Sequence, residues 1–542
     1  MLDDRLAQPI ITRMKFGQSL VNARLPSWDS VSRIRLSFLC ALALAVTACA
    51  NSAEKAAAEA ALAQQLFNNG DLPGARMAVT RSLALRSDNQ DVLLLDARIK
   101  LQMGDLTAAY EAYRTTLVFA PDNLEALVMV ARIGSINGDK RNARDALRRG
   151  LAIDPKQPDL LMVSGIEALT RKEFGAALEV SERLLAANPG NSPGLALKAR
   201  ALSEMGRAAD GYALLRGQIE KAGNDPILAG ALLEIARAQS DVPVMLEQFP
   251  ILFQTYPNSV DLALDEINVR YKSGDADSAR TAALDLISRF GNDVSAMTRL
   301  LELWNEYDRT PLSQADIGAL AGEGAVEARL AIGRFLGQNG DLASAAALVG
   351  GSVDPRLLGL AAWIDVRRGN PAGFERAQTI ASKDRTNCEA LTAVAEWKIA
   401  KRRYEQAIVD AQVVASDCRD RVDGYLLLAD AYERADRPVS VERVLREGIE
   451  AHPLDLALTK RLARWLLAKG RAQSAVSAAR RLTNAAPARV SSWQAYSEIC
   501  TSAGNSACAG DAAAGRAAAT RSYVLDAPSA RRPDPLFGRS WR

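Results

Sequence analysis

Residues 69–75 read Asn-Gly-Asp-Leu-Pro-Gly-Ala, and residues 103–109, 34 positions on, read Met-Gly-Asp-Leu-Thr-Ala-Ala. The Gly-Asp pair returns in the same phase at Gly138-Asp139 and Gly274-Asp275, and slightly out of register at Gly340-Asp341. Lys172, Gly206, Ser240 and Asp308 fill the same phase, and a second series runs Arg368, Arg402, Asp436, Gly470 and Gly504. A turn that recurs at one fixed interval of this length is the signature of a stacked helical repeat. A single unit cannot bury its apolar face alone and packs on its neighbours.

Working outward from that turn, we place it at position 15 of a 34-residue unit, so that units start at 56, 90, 124, 158, 192, 226, 260 and 294, then at 354, 388, 422, 456 and 490. Position 8 is small in most units (Ala63, Ala97, Ala131, Gly165, Ala199, Ala395, Ala429, Ala463), and so is position 20 (Ala75, Ala109, Ala143, Ala177, Gly211, Ala279, Ala407, Ala475). Small side chains on both sides of a turn let two antiparallel helices approach closely where they cross. Position 32 is proline at Pro121, Pro155, Pro189, Pro257, Pro453 and Pro487, which ends the second helix.

With these positions filled in this way, residues 56 to 520 resemble the tetratricopeptide repeat family. The resemblance implies an all-α, right-handed superhelical solenoid of about 13–14 helix-turn-helix repeats, of the kind found in bacterial repeat lipoproteins. It is specific for fold and unspecific for function. The expected organisation is a signal segment over 1–48, a lead over 49–55, an N-terminal array over 56–310, a degenerate repeat or break over 311–355, a C-terminal array over 356–522 and a disordered tail over 523–542. The glycine-rich 311–355 segment is open to two readings, a boundary between arrays or an irregular unit inside one solenoid. The Pro- and Arg-rich tail lacks the apolar residues to build a core.

The N-terminus carries the second signal. Arg33 and Arg35 precede an apolar run from Leu36 to Val46, which ends in Val46-Thr47-Ala48-Cys49. A positive region, a short apolar core and small residues before a cleavage point describe a secretory signal. The end of the run resembles a bacterial lipobox, which implies lipidation of Cys49 and, with Ala50 and Asn51 following, an outer-membrane lipoprotein facing the periplasm. The first 48 residues hold six Lys or Arg against three Asp, which accounts for the net charge of +3, so nothing points to nucleic acid as a partner.

Four cysteines remain after Cys40 and Cys49: Cys388, Cys418, Cys500 and Cys508. Cys388 and Cys418 fall at the start of a first helix and the end of the second helix of the same unit, and Cys500 and Cys508 flank one turn. Both pairs can meet across an antiparallel helix pair, so two local disulfides are expected, with buried free thiols as the alternative.

The residues offer little for catalysis. There is one His, His452, placed to cap a helix C-terminus, and no phosphate-binding loop, dinucleotide fingerprint or nucleophile elbow. No cofactor, metal site or catalytic residue is expected. Trp363, Trp397 and Trp465 share position 10, which reads as shared packing or as a short aromatic column for sugar rings.

In the family that this chain resembles, first helices line the concave face, with position 9 among those pointing into the groove. Here position 9 includes Arg98, Arg132 and Arg200, then Glu234, Glu302, Glu396 and Asp430. Arginine suits recognition of carboxylates through its paired donors, so the expectation is a bipolar groove whose arginines engage an acidic segment. The other reading is an ordinary solvated face with paired charges. The resemblance implies envelope proteins as partners through that groove, and the membrane through Cys49, in envelope assembly, export or secretion. A polymer-handling component of exopolysaccharide export is the second reading.

Overall fold

The computed structural model describes residues 52–526. The signal segment, Cys49 with its lipobox, and the part of the expected tail from residue 527 onward lie outside the described residues.

Every regular element among the described residues is a helix, and the 28 helices form 14 antiparallel pairs from 52–68 with Leu72–Leu85 to Val490–Ser502 with Ser506–Arg521. The Gly-Asp signature marks five of the bends. Gly70, Gly104, Gly138, Gly206, Gly274, Gly470 and Gly504 have φ between +66° and +85°, the left-handed conformation that ends the first helix. Where an aspartate follows, it caps the second helix, whereas Arg207 and Arg471 after Gly206 and Gly470 make no side-chain cap. The carboxylates of Asp71, Asp105, Asp139 and Asp275 accept the backbone N–H three residues on, at 2.9, 2.9, 3.2 and 3.1 Å. Lys172, Ser240, Arg402 and Asp436 adopt the same left-handed turn with φ of +55° to +61°, held there by the helices on either side.

The small positions do what their spacing predicts. Ala63, Ala97, Ala131, Ala199, Ala395, Ala429 and Ala463 are fully buried, as are Ala75, Ala109, Ala177, Ala279, Ala407 and Ala475. At Gly211 a Cβ would stand 2.6 Å from the Ala199 carbonyl oxygen, so the crossing at this pair tolerates only glycine without a shift.

Between residues 294 and 388 the strict period fails, and the positions read from it need correction. Asp308 is extended, with φ −151°, rather than left-handed. In the next units the turn residues are Gly340 and Gly369, not Arg368. The units begin at Val294, Val326, Pro355 and Cys388, so the residues missing from the period are spread over three units. Trp363 therefore sits one position earlier than Trp397 and Trp465. The segment 311–355 is no break. It contains Gln314–Glu323, Val326–Gln338 and the eight-residue Leu342–Val349. One apolar cluster runs through it, from Ala263 and Ile267 past Ile317, Ile332, Phe335 and Leu348 to Ala393 and Val394. Gly318 and Gly322 meet no atom that a Cβ would touch and simply sit in a helix.

The chain divides into two compact units, with the division between Val163 and Ser164 inside the helix Pro158–Thr170. Two other boundaries shift. Residues 52–55, expected as a lead, already belong to the first helix. Residues 523–526, expected as disordered tail, are packed: Tyr523 lies against the cluster around Leu232 and Phe249, and Leu525 against the cluster around Leu264 and Leu303.

Candidate functional site

In the smaller unit, position 9 of one first helix meets position 2 of the next. Arg98 Nε donates to Glu125 Oε1 at 2.7 Å, and Arg132 Nη1 stands 3.6 Å from Asp159 Oδ1. These pairs are open to water, with the arginines 42% exposed. The Arg98 guanidinium is held above its usual value, first by its hydrogen bonds to Glu125.

In the larger unit, Arg200 is exposed on Ser192–Glu204. Glu234 takes Arg237 at 2.9 Å, Glu396 takes Arg367 at 2.9 Å, and Asp430 takes Arg434 at 3.0 Å. Arg237 also pairs with Asp265, and both are buried. A second buried set joins Arg421 to Glu389 at 3.0 Å and to Asp423, with Arg334 3.3 Å from Glu389 and the Gln338 amide donating to Asp423 at 2.9 Å. Burial pushes the Asp423 carboxyl up, but Arg421 and then Arg334 outweigh it and hold the group below its usual range. The expected bipolar charge is thus offset locally, pair by pair.

Glu302 differs from the rest, because its partner comes from a distant repeat. The first-helix face of Val260–Lys272 and Val294–Tyr307 is covered by residues 488–491 and 519–526. Arg489 Nη2 donates to Glu302 Oε2 at 3.0 Å, and the Ser491 backbone N–H donates to Glu306 Oε1 at 2.9 Å. Asn268, at position 9 and only 2% exposed, accepts the Tyr307 hydroxyl on Oδ1 at 2.9 Å and donates Nδ2 to the Tyr523 carbonyl at 3.3 Å. One turn on, the Lys272 ammonium donates to the carbonyls of Ala519 at 3.0 Å, Ala488 at 3.3 Å and Ser522. Ala519 and Ser522 mark the C-terminal end of Ser506–Arg521, where carbonyls lack helical partners and the helix dipole is negative. That placement satisfies a half-buried ammonium without a salt bridge. The two oxygens of Asp526 accept the Ala488 N–H at 2.9 and 3.1 Å.

The titratable groups show how dry this contact is. Burial drives the Tyr307 phenol well above its ordinary value and pulls the Lys272 ammonium down. Burial also raises the Asp526 carboxyl, against the Ala488 amide and the cations Arg489 and Lys272. A cavity of about 40 Å³ remains beside Asn268, Glu302 and Leu525, room for only a few waters. The sequence does not single out Asn268, because an Asn at position 9 carries no charge, nor Lys272, which stands at position 13 of the unit. Their spacing of four on one helix face was the available signal.

The cysteines sit in the same unit. Cys388 and Cys418 are joined as a disulfide with Cα atoms 6.0 Å apart, and Cys500 and Cys508 as another with Cα atoms 5.6 Å apart. His452 caps the helix Pro438–Ala451 and its Nε2 lies 3.1 Å from the Arg419 carbonyl. The tryptophans belong to the packing. Trp363 and Trp465 are buried and Trp397 stacks on Phe374 at 5.5 Å. A cation one turn on covers each ring: Arg367 at 4.3 Å, Lys401 at 4.6 Å and Lys469 at 5.8 Å.

No protein-family model matches the chain, and no curated protein matches it. Solved structures do. A crystal structure of MamA is 21% identical over 31% of this chain and 92% of that one, with a TM-score of 0.29. A tetratricopeptide repeat protein from Parabacteroides merdae is 15% identical over 46% of this chain and 98% of its own, with a TM-score of 0.40. PilW, described as a widely conserved type IV pilus biogenesis factor, is 20% identical over 38% and 96%, with a TM-score of 0.33. At these identities the likeness is one of fold. By its own helix pairs, its recurring left-handed turns and its small-residue crossings, the protein is an all-α solenoid of helix-turn-helix repeats.

Proposed function

We propose that this protein is a membrane-anchored, periplasm-facing scaffold that mediates protein–protein interactions in envelope assembly, export or secretion. The observation that carries the interaction role is the first-helix face at Asn268 and Lys272, which holds non-helical polypeptide by the backbone carbonyls of Tyr523 and Ser522. The anchoring rests on Arg33, Arg35, the apolar run to Val46 and Cys49. The periplasmic setting is supported by the two disulfides, which persist in oxidising compartments. Arg98 and Arg132 would exchange Glu125 and Asp159 for carboxylates of a partner, a swap that costs little because the pairs are solvated.

Handling of a polysaccharide would call for free aromatic faces along the groove. The tryptophans are packed and covered by cations instead, so no observation favours that reading.

The test is a crosslinking capture from envelopes with a tagged protein, read by mass spectrometry beside a Cys49→Ser control. Envelope assembly or export proteins recovered only with the Cys49 form support the anchored scaffold. The same partners from the soluble control would remove the anchor from the mechanism, and no partners from either would remove the scaffold.

A further inference from the structure

The face of 260–307 is already filled. Residues 522–526 lie across it with no helical structure of their own, and they are gripped mainly through main-chain atoms. Asn268 and Lys272 take the carbonyls of Tyr523 and Ser522. Three residues of the segment are read through side chains, and Tyr523 is one of them, packed against the cluster around Leu232 and Phe249. Leu525 enters the apolar cluster at Leu264 and Leu303. The Asp526 carboxylate sits on the Ala488 N–H near Arg489 and Lys272. Main-chain bonding is indifferent to sequence, so a second extended chain with an aliphatic residue followed by an acid fits the same donors.

We propose that residues 522–526 are a displaceable strap, holding the 260–307 face closed until an extended segment of a protein partner, carrying an aliphatic residue followed by an acidic one, takes its place. This rests on the reading of the protein as an interaction scaffold and names the chemistry of one partner segment. The strap is suited to release. Its hold is a few hydrogen bonds, some of them from the Lys272 ammonium or to the Asp526 carboxylate, with the Tyr523 and Leu525 side chains, and a tethered ligand is favoured by its proximity as well as by its contacts. Closing the face in cis lowers the apparent affinity of any trans ligand by the fraction of molecules that are open.

The probe is a fluorescein-labelled peptide with the sequence of residues 519–528, followed by fluorescence anisotropy against three full-length proteins: the unaltered chain, Leu525→Asp, and Leu525→Asp combined with Asn268→Ala and Lys272→Met. Weakening the strap should tighten peptide binding by about tenfold or more, and the additional face substitutions should remove most of that gain. Equal affinity for the unaltered and Leu525→Asp proteins would overturn the proposal, and so would binding that survives the face substitutions. Should Leu525→Asp lose helicity by circular dichroism, a chain ending after Tyr523 replaces it, with the same outcomes deciding. Dimers that appear when the strap is weakened and dissolve on adding peptide would assign the face to a second copy of this chain and overturn the partner reading. Because the probe is the chain's own segment, failure here leaves the envelope capture untouched, while failure of that capture removes the protein partner and not the peptide exchange read on the face.

Discussion

Position 9 of the first helices has opposite fates at Arg98 and Arg132 in the smaller unit and at Asn268 and Glu302 in the larger, where Arg200 and Glu234 are also exposed. In the smaller unit Arg98 and Arg132 lie in water beside Glu125 and Asp159. In the larger unit Asn268 is almost entirely buried beneath Tyr523, and Glu302 is engaged by an arginine 187 residues away. The repeat is the same and the helices are the same, so local sequence does not set the difference. It is set by chain that returns from a distant repeat to lie on the face. A repeat position therefore predicts which way a side chain points, and long-range packing decides whether it meets solvent or protein.

The energetic side of this comparison is open to direct test by removing one carboxylate from each kind of pair. Asp265→Ala leaves the Arg237 guanidinium buried without its closest partner and should cost about 3–5 kcal/mol, seen as early loss of amide protection over 226–272 in denaturant. A loss below about 1 kcal/mol would mean that Glu234, already 2.9 Å from Arg237, takes over the charge. The matching change in the smaller unit, Glu125→Ala, removes an exposed partner of Arg98 and should cost no more than about 1 kcal/mol. If the two substitutions cost the same, burial is not what separates the two faces.

The next effect is covalent and belongs to the larger unit alone among the described residues. Cys388 and Cys418 are 30 residues apart in sequence, and replacing both with Ala should cost about 2–4 kcal/mol by freeing that loop in the unfolded chain. Non-reducing peptide mapping should find Cys388 linked to Cys418 and Cys500 linked to Cys508. Four free thiols in protein taken from the periplasm would remove both the stabilisation and the support it lends to export.

How much of this was legible in the sequence follows from what is local and what is not. The Gly-Asp turn is local chemistry, a left-handed glycine followed by a capping carboxylate, and it placed the helix pairs without a structure. The period also misled where it was trusted too far. Asp308 and Arg368 were assigned turns because the count fell on them, while the shortened units at Val326 and Pro355 turn at Gly340 and Gly369. Glycines over 311–355 leave a break and an irregular unit equally open, and Ile317, Ile332 and Leu348 keep the apolar seam continuous, because a buried seam outweighs poor helix propensity. Charge at position 9 singles out Arg98, Arg132 and Arg200 and passes over the uncharged Asn268, while Lys272 stands at position 13 of its unit. The acid partners Glu125 and Asp159 sit in the following repeat rather than on the same helix. The fold-back of residues 519–526 has no periodic signal at all.

The smallest effect sharpens the comparison through pH, because a buried strap should feel titration where an exposed pair does not. The carboxyl of Asp526 is raised above its ordinary value, foremost by burial. It faces the Ala488 N–H, Arg489 and Lys272, with Glu302, Glu306 and Tyr307 on the neighbouring helix lining the same contact. A group whose docked pKa is raised favours the protonated form in the docked state. Its contribution to docking is therefore complete below the free carboxylate value of about 4 and is lost as pH rises through the higher docked value. Lys272 is also depressed by burial, but its ordinary value of 10.5 lies far above this window. Amide protection of residues 519–526, corrected for intrinsic exchange, should fall as pH climbs from acid toward neutral, and Asp526→Asn should flatten that slope while leaving protection around Arg98 and Glu125 unchanged. A slope that persists in the Asn variant would place the titrating group elsewhere on the face.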